Sequence, residues 1–283
     1  MKRTKAAALL LGGLLLLGGC GAQMEEQIPV SGDPLCRQTA VYLQEGDHLA
    51  VASVTQSWQG DVLGGAMEKL VGGSHMAALE EQGLCSPLPP DTRIETSLEE
   101  GVATVGLASR WLEAVDEQQA ALIVDAVVET AGQFDGVQAV RVVVNGGSEN
   151  FAGVDISQPF VPGKVGDGGQ EAATVYYQSA MSGLLVPVKK TGQTSAKQTV
   201  ETMLGSPGTD SLLSLLPPDT RILGVELDEN GVLNIDLSRE FTAIRKEEGQ
   251  LKLLLRGLDL TCRGMAGVKR VRLLVEGQTY AIS

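Results

Sequence analysis

The sequence predicts an α/β protein, of the α+β type, in which a small sheet with helices packed on one face occurs twice in tandem. Three observations support this prediction. The string LPPDTRI occurs at residues 88–94 and again at 216–222, both halves share one pattern of strands and helices, and a glycine-rich segment separates the halves. These observations indicate that one structural module is used twice.

Four segments of the first half match segments of the second half in the same order. The matches begin at residues 40, 88, 101 and 136, and their partners begin at 174, 216, 231 and 267. Because the order is kept and the offset changes by only a few residues, the pattern is typical of a duplicated domain. The predicted domains are residues 37–147 and 173–283, and residues 148–172 form the predicted linker.

The first copy is predicted to follow the order strand, helix, strand, strand, helix, strand. Its first strand lies near residues 39–44, a second short run of strand-forming residues lies at 49–54, and its first helix lies near 60–71. Two strands then flank a turn at Gly101. The second copy has the corresponding elements near 173–178, 184–188 and 195–204, and its central turn ends at Gly231.

The last helix of each copy is predicted by an apolar stripe with the spacing i, i+3, i+7 and i+11, which lines one face of a helix. Cys262 belongs to the second stripe and aligns with Ala131 of the first. It is therefore predicted to fill the core rather than to act as a nucleophile. The stripe residues are Ala120, Ile123, Val127 and Ala131 in the first copy and Leu251, Leu254, Leu258 and Cys262 in the second.

The repeated string LPPDTRI is predicted to lead a loop into a strand. Its two prolines fix the backbone and donate no hydrogen bonds, so they end the preceding segment. The aspartate favours a turn, and the Thr-Arg-Ile sequence that follows begins the strand. The alternative is a doubled ligand site formed by Asp91 with Arg93 and by Asp219 with Arg221.

The N-terminus carries the features of an export signal. Three basic residues precede an apolar run at residues 6–17, and a Leu-Gly-Gly-Cys sequence ends at Cys20. This arrangement resembles the signal and lipobox of bacterial lipoproteins. The resemblance implies that residues 1–19 are removed, that Cys20 is lipidated and that residues 20–36 tether the protein to the outer face of the cytoplasmic membrane. The alternatives are a buried cysteine and an uncleaved transmembrane anchor, although the apolar run is shorter than the roughly 20 residues that such an anchor needs.

Acidic residues are concentrated in the first half of the chain. The whole sequence has 22 basic and 35 acidic residues. Residues 20–155 contain 5 basic and 21 acidic residues, whereas residues 156–283 contain 14 of each. Such a charge excludes nucleic acid as a partner, because phosphate binding needs a basic surface.

The sequence contains no residue pattern typical of an active site. Its two histidines, His48 and His75, lie in predicted loops of the first copy and have no counterpart in the second. Neither a phosphate-binding glycine loop nor a zinc-binding spacing is present. We therefore expect no enzyme activity, no metal and no cofactor.

Two cysteines are candidates for a disulfide. Cys36 and Cys85 are the only pair within one copy after Cys20 is set aside, and an extracytoplasmic location permits a disulfide between them. The alternative is that they remain free thiols, because the sequence does not show how close their Cα atoms come.

A basic surface is predicted at the last helix of the second copy. The alternatives are an ordinary solvated helix face and a docking surface for an acidic partner. Acidic partners that fit are an anionic cell-wall polymer, lipid headgroups or the acidic first half of another copy of the chain. The residues are Lys252, Arg256 and Arg263, which flank the apolar stripe at helical spacing, and Lys269 and Arg270, which follow the helix.

Several motifs of the second copy resemble the GerMN domain family. These are a Leu-Gly-Ser-Pro helix end at 204–207, the LPPDTRI string, a V-L-N-I-D-L-S-R-E-F segment at 232–241 and a closing run that ends at Gly277. The family commonly has Gly-Thr where this chain has Asp219 and Thr220.

The first copy is a degenerate version of the same pattern. Gly106 and Ala108 stand where the second copy has Asp236 and Ser238. Ala108 removes a helix N-cap unless Ser109 replaces it, and a lost cap costs about 1 kcal/mol.

The resemblance implies two compact α/β domains, similar to the ring-building modules of spore-envelope assemblies. It also implies a non-catalytic scaffold or interaction role in a cell-envelope complex of sporulation or spore germination. The expected partners are the membrane, through the lipid anchor, and either an envelope protein complex or a second copy of the chain. The alternative function is an extracytoplasmic binding module for cell-wall polymer or a small ligand in vegetative cells.

Overall fold

The computed structural model describes residues 36–57, 59–163, 172–193, 195–246, 248–263 and 265–281. The predicted leader, the lipidation site Cys20, most of the tether and residues 164–171 of the predicted linker lie outside the described residues.

Each repeat has the order β-β-α-β-β-α-β, which confirms the predicted α/β class. In the first repeat the strands are β1 Cys36–Glu45, β2 His48–Ser57, β3 Arg93–Glu99, β4 Val102–Ala108 and β5 Ala139–Val144, and the helices are α1 Val62–Glu68, α2 Ala77–Glu80 and α3 Glu117–Ala131. A short hairpin, β6 Asn150–Phe151 and β7 Val154–Asp155, follows the first repeat.

The second repeat has the corresponding elements. Its strands are β8 Ala172–Ser179, β9 Leu185–Thr191, β10 Leu212–Leu213, β11 Ile222–Leu227, β12 Val232–Leu237, β13 Arg270–Val275 and β14 Gln278–Thr279, and its helices are α4 Ala196–Leu204 and α5 Glu248–Arg263. Short 3-10 helices lie at Ser74–Met76, Arg110–Ala114 and Arg239–Lys246.

The first hairpins of the two repeats join into one sheet. Its order is β1-β2-β9-β8-β10, and β2 meets β9 at the antiparallel pair Val51 and Leu185. The short second runs predicted at 49–54 and 184–188 are therefore full strands at the centre of the molecule. Because they carry the contact between the repeats, the two domains share a sheet rather than standing as separate modules.

Each repeat also keeps a small sheet of its own. The orders are β3-β4-β5 in the first repeat and β11-β12-β13-β14 in the second. In both, a two-strand antiparallel hairpin is followed by a helix and a parallel strand, β5 or β13, beside the inner strand of the hairpin. Parallel pairing needs a crossover connection, and α3 and α5 supply it.

The apolar stripes of α3 and α5 lie in the core, as predicted. Ala120, Ile123, Val127 and Ala131 are fully buried, and Leu254, Leu258 and Cys262 are at most 7% exposed. Leu251 is half-buried and packs against the same core. Cys262 is therefore a core residue, and burial raises the pKa of its thiol to about 12, which makes it a poor nucleophile.

The repeated LPPDTRI string forms the same turn in both copies. Asp91 and Asp219 each have φ of 65°, in the left-handed region that favours glycine. In each turn the following threonine donates its backbone N–H to the first proline, Pro89 or Pro217, at 3.3 Å. This positive φ explains why GerMN domains commonly have glycine at the position that Asp219 occupies in this chain.

The first part of the predicted linker belongs to the first domain in the structure. Phe151 and Ile156 are buried, and Phe160 exchanges two backbone hydrogen bonds of 2.8 Å with Val140 of β5. A Cβ atom added at Gly132, after α3, would lie 2.2 Å from the ring of Pro162. Residues 148–163 therefore cover the edge of β5 and the end of α3.

Candidate functional site

The structure describes four of the five side chains of the predicted basic surface, and they lie in two groups. Lys252 is exposed on α5, and Arg256, one turn later, forms an ion pair with Asp259 at 3.0 Å. Lys269 and Arg270 are exposed where the chain enters β13. The side chain of Arg263 lies outside the described residues, so the surface that the structure describes consists of Lys252, Arg256, Lys269 and Arg270.

Of the two alternatives for Cys36 and Cys85, the structure favours free thiols over a disulfide. Cys85 is a free, exposed cysteine, and its backbone pairs with Gln44 near the end of β1. Cys36 begins the same strand, eight residues earlier, which corresponds to roughly 26 Å along an extended strand. The two Cα atoms therefore lie far beyond the distance that a disulfide spans.

The two aspartate–arginine pairs of the LPPDTRI strings occupy exposed positions. Asp91, Arg93, Asp219 and Arg221 are all solvent-exposed in the structure. Since the backbone conformation of each turn accounts for the aspartates, the structural interpretation of the string stands.

Ser109 caps the 3-10 helix that follows Ala108, which is one of the two alternatives that the sequence offered. The Ser109 side chain accepts a hydrogen bond from the Trp111 N–H at the start of the following 3-10 helix. The amide of Asn145 also bonds both backbone groups of Ser109. In the second repeat, Asp236 stands where the first repeat has Gly106. Its carboxylate accepts a hydrogen bond from the Gly277 N–H at 2.9 Å and fixes the turn after β13.

Equivalent tyrosines meet at the interface between the repeats. Tyr42 of β1 and Tyr176 of β8 are aligned residues, and their hydroxyl oxygens are 2.7 Å apart. Their ring centroids are 6.5 Å apart. Val51 and Leu185, which also align, pair at the junction of β2 and β9, so the two repeats meet as at an approximate two-fold axis.

A polar cluster lies beside this axis and joins α3 of the first repeat to the second repeat. Asp125 of α3 forms an ion pair with Lys189 of β9 at 2.7 Å. Glu129, one turn later, is 9% exposed, and its Oε1 accepts from the Gly163 N–H at 3.2 Å and lies 3.5 Å from the Thr174 hydroxyl. Two carboxylates thus lie one turn apart on α3, and Asp125 is the one that forms the ion pair with Lys189.

Burial controls the protonation of both carboxyl groups. It raises the pKa of Glu129 to about 7, and the negative charge of Asp125 contributes in the same direction, against the Gly163 N–H and Lys189. It also raises the pKa of Asp125, although the Lys189 ammonium opposes this. Such a shift at a carboxyl group near a cavity is typical of functional sites.

Two cavities border Glu129. One, of about 380 Å³, lies between α3 and strand β9 and is lined by Asp125, Lys189 and apolar side chains that include Leu122 and Val188. The other, of about 280 Å³, is lined by both tyrosines of the axis. The size of the larger one is in the range of small-molecule sites.

His48 lies at the rim of the larger cavity rather than in a free loop. It begins β2, and its Nε2 is 2.9 Å from a carboxylate oxygen of the fully buried Glu45. Its Nδ1 is 3.1 Å from Asp47. The side chain of His75, the other histidine, lies outside the described residues.

Sequence reasoning missed Glu129, Asp125 and Lys189. The i, i+4 spacing of the two acidic residues beside an apolar stripe was the available signal. Lys189 comes to Asp125 only through the shared sheet, so no local pattern indicates the pair. Among the described residues the structure has no group of three or more His, Cys, Asp or Glu side chains arranged to hold a metal, and no helix there is long and apolar enough to cross a membrane.

The fold and this interface define a tandem α/β protein whose two similar domains form one pseudo-symmetric unit. The family model "Germane", described as sporulation and spore germination, matches residues 40–150 and 174–281, one match for each repeat. The chain belongs to this family. Comparison with curated proteins gave no match.

One solved structure supports the tandem arrangement. The tandem GerMN domains of the sporulation protein GerM from Bacillus subtilis match with a TM-score of 0.67 and 19% identity over 86% of this chain and 92% of that one. The first GerMN domain of the same protein matches with a TM-score of 0.38 and 22% identity over 44% of this chain and 96% of that one. The resemblance to tandem GerMN domains is thus confirmed.

Proposed function

We propose that the protein is a membrane-anchored, non-catalytic lipoprotein that acts as a scaffold or interaction module in a cell-envelope complex of sporulation or spore germination. The observation that carries the proposal is the match of both repeats to a sporulation and germination family. The lipobox-like sequence that ends at Cys20 supports the anchor. Two acyl chains hold a protein on a membrane stably, because each buried CH₂ contributes about 0.8 kcal/mol.

Deletion of the gene tests the role in sporulation. Heat-resistant spores and total viable cells are counted for the deletion strain and the wild type. The expected result is a sharp drop in heat-resistant spores with normal vegetative growth. An unchanged spore count would contradict the sporulation role and favour a general envelope-binding function.

Complementation of the deletion tests the anchor. A copy with Cys20→Ala should fail to restore spores and should leave the membrane fraction. A copy with Cys85→Ala is the matched control, because it removes an exposed cysteine that has no disulfide. Full membrane association of the Cys20→Ala protein would rule out lipidation as the anchor.

The interaction role rests on the unequal charges of the two halves. We propose that the basic surface of the second repeat contacts the acidic first repeat of another copy. Such a head-to-tail contact is heterologous and can close into a ring or extend into a filament. Exposed charges are screened by salt, so self-association should weaken between about 50 and about 500 mM salt.

Charge-neutralising variants locate this contact. Changing Lys252, Lys269 and Arg270 together to glutamine should reduce self-association in sedimentation velocity experiments at low salt. The control removes three positive charges elsewhere in the same repeat, at Lys197, Arg239 and Lys246, which are also exposed. Equal loss in both triple variants would show a general charge effect, and a salt-independent monomer would exclude the contact.

A further inference from the structure

Glu129 occupies a position where packing alone favours an apolar side chain. The aligned residue of the second repeat is Leu260, which is 6% exposed, and the residue that Glu129 approaches, Thr174, aligns with Ala40. The two-fold relation thus places a glutamate and a threonine on one side of the axis and a leucine and an alanine on the other. Because a buried carboxylate without a full set of partners costs stability, its presence on one side only indicates a use beyond folding.

The carboxylate of Glu129 is only partly satisfied by the protein. Its Oε1 has the Gly163 N–H and the Thr174 hydroxyl as neighbours, and Oε2 has no hydrogen-bond partner among the described residues. The side chain is 9% exposed and lines the cavity of about 380 Å³. The carboxylate of a largely buried glutamate therefore borders a space large enough for a small molecule.

The other groups of the cavity define the chemistry of what it holds. Lys189 donates to Asp125 Oδ1 at 2.7 Å, and Glu129 lies one turn further along α3. At the rim His48 is bonded to Glu45 and to the exposed Asp47. The remaining wall is largely apolar and includes Leu122, Val186, Val188 and Leu212.

We propose that this cavity between the repeats binds a small organic cation, a primary ammonium group on an apolar body. The ammonium lies between Glu129 Oε2 and the free oxygen of Asp125, and the apolar body lies along the side chains of α3 and β9. An ammonium has three donors, which match the carboxylate oxygens at this edge of the cavity. The site joins the two repeats, so an occupant contacts both of them.

Three aromatic probes of one shape test the charge requirement. Benzylamine, benzyl alcohol and benzoate carry a positive, a neutral and a negative group on the same ring. Their binding to the purified full chain is measured by isothermal titration calorimetry at pH 8, where the carboxyl of Glu129 is ionised. Benzylamine should bind at least tenfold more tightly than the other two, since only its ammonium pairs its charge with the carboxylates while it donates hydrogen bonds to them.

Two variants test the residues. Glu129→Leu, which installs the residue of the second repeat, should weaken benzylamine at least tenfold and leave benzyl alcohol unchanged. Lys189→Met should strengthen benzylamine, because it removes the ammonium that competes for Asp125. The protein solution contains detergent. Partitioning of the probes into this detergent is the same for the wild type and the variants, so it cancels in these comparisons.

Three results would overturn the proposal. The first is equal affinity of wild type and Glu129→Leu for benzylamine, and the second is a preference of the wild type for benzoate. The third comes from Lys164→Gln, which removes the lysine that follows Gly163 in the sequence. Benzylamine binding seen only in this variant would mean that the carboxylates serve an internal ion pair, whereas unchanged binding supports an external cation.

Discussion

Replacement of Glu129 by glutamine should change how the stability of the protein depends on pH. The side chain is 9% exposed, and burial raises the pKa of its carboxyl group from 4.5 to about 7. Glutamine has nearly the same shape and keeps a carbonyl acceptor for the Gly163 N–H, but it does not ionise. A comparison of the two proteins therefore isolates the free energy of ionising one buried group.

The sign follows from the raised pKa. Below pH 4.5 the carboxyl of Glu129 is protonated in both the folded and the unfolded chain, so its ionisation does not affect the free energy of unfolding. Between pH 4.5 and about 7 the unfolded chain releases the proton while the folded chain keeps it, and stability falls as the pH rises. A pKa difference of about 2.5, at about 1.4 kcal/mol per pKa unit, gives a loss on the order of 3 kcal/mol that is complete above pH 7.

Urea unfolding of both proteins from pH 4 to pH 8 measures this loss. The stability of Glu129→Gln relative to wild type should rise by about 3 kcal/mol across that range, with most of the change between pH 5 and pH 7. Glu95→Gln is the control, because Glu95 is exposed on β3 and its replacement should have only a small effect on stability. A difference between Glu129→Gln and wild type that stays constant from pH 4 to pH 8 would refute the reasoning.

Three further predictions concern the interface and the backbone, and each is checked by chemical unfolding. Tyr42→Phe and Tyr176→Phe should show a coupling of about 1 kcal/mol in a double-mutant cycle, because their hydroxyls bond each other; additive effects would exclude that bond. Asp219→Ala should cost about 1 kcal/mol and Asp219→Gly should cost nothing, since φ is 65° there; equal costs would exclude backbone strain. Gly132→Ala should destabilise the folded protein by about 1 to 3 kcal/mol, because the added methyl group clashes with the ring of Pro162. Gly249→Ala, which has open space around it in α5, should stabilise the folded protein by about 0.5 to 1 kcal/mol. A stabilising Gly132→Ala would show that the segment around Pro162 moves away at no cost.

The tandem α/β organisation could be predicted because the signals that define it are local and occur twice. The stripe that contains Ile123 and Val127 has helical spacing, and both residues are fully buried. The LPPDTRI strings enter the same strand in both repeats, and Asp91 adopts the turn that its residue type permits. Each of these features depends on a few neighbouring residues, so it can be predicted from a single sequence.

The shared sheet could not be predicted in the same way. Strand β2 ends in alternating exposed and covered residues, and its exposed members, Ser53, Thr55 and Ser57, make it resemble a short edge run. Its pairing with β9 joins Val51 to Leu185, residues of different repeats that no local pattern connects. The site was missed for the same reason, because Asp125 and Lys189 become neighbours only when the two hairpins join.

The duplication of the domain within one chain explains how a two-fold interface came to hold an unsymmetrical site. In a dimer of identical chains every residue near the axis occurs twice, so a buried carboxylate would face its own copy or be repeated on the other side. The residues at the axis itself, Tyr42 and Tyr176, have stayed the same and bond each other. Beside the axis the repeats differ. Where the first repeat has Asp125 and Glu129, the second has Arg256 and Leu260. Fusion therefore allowed one side of the interface to carry two carboxylates while the other side carries an arginine and a buried leucine.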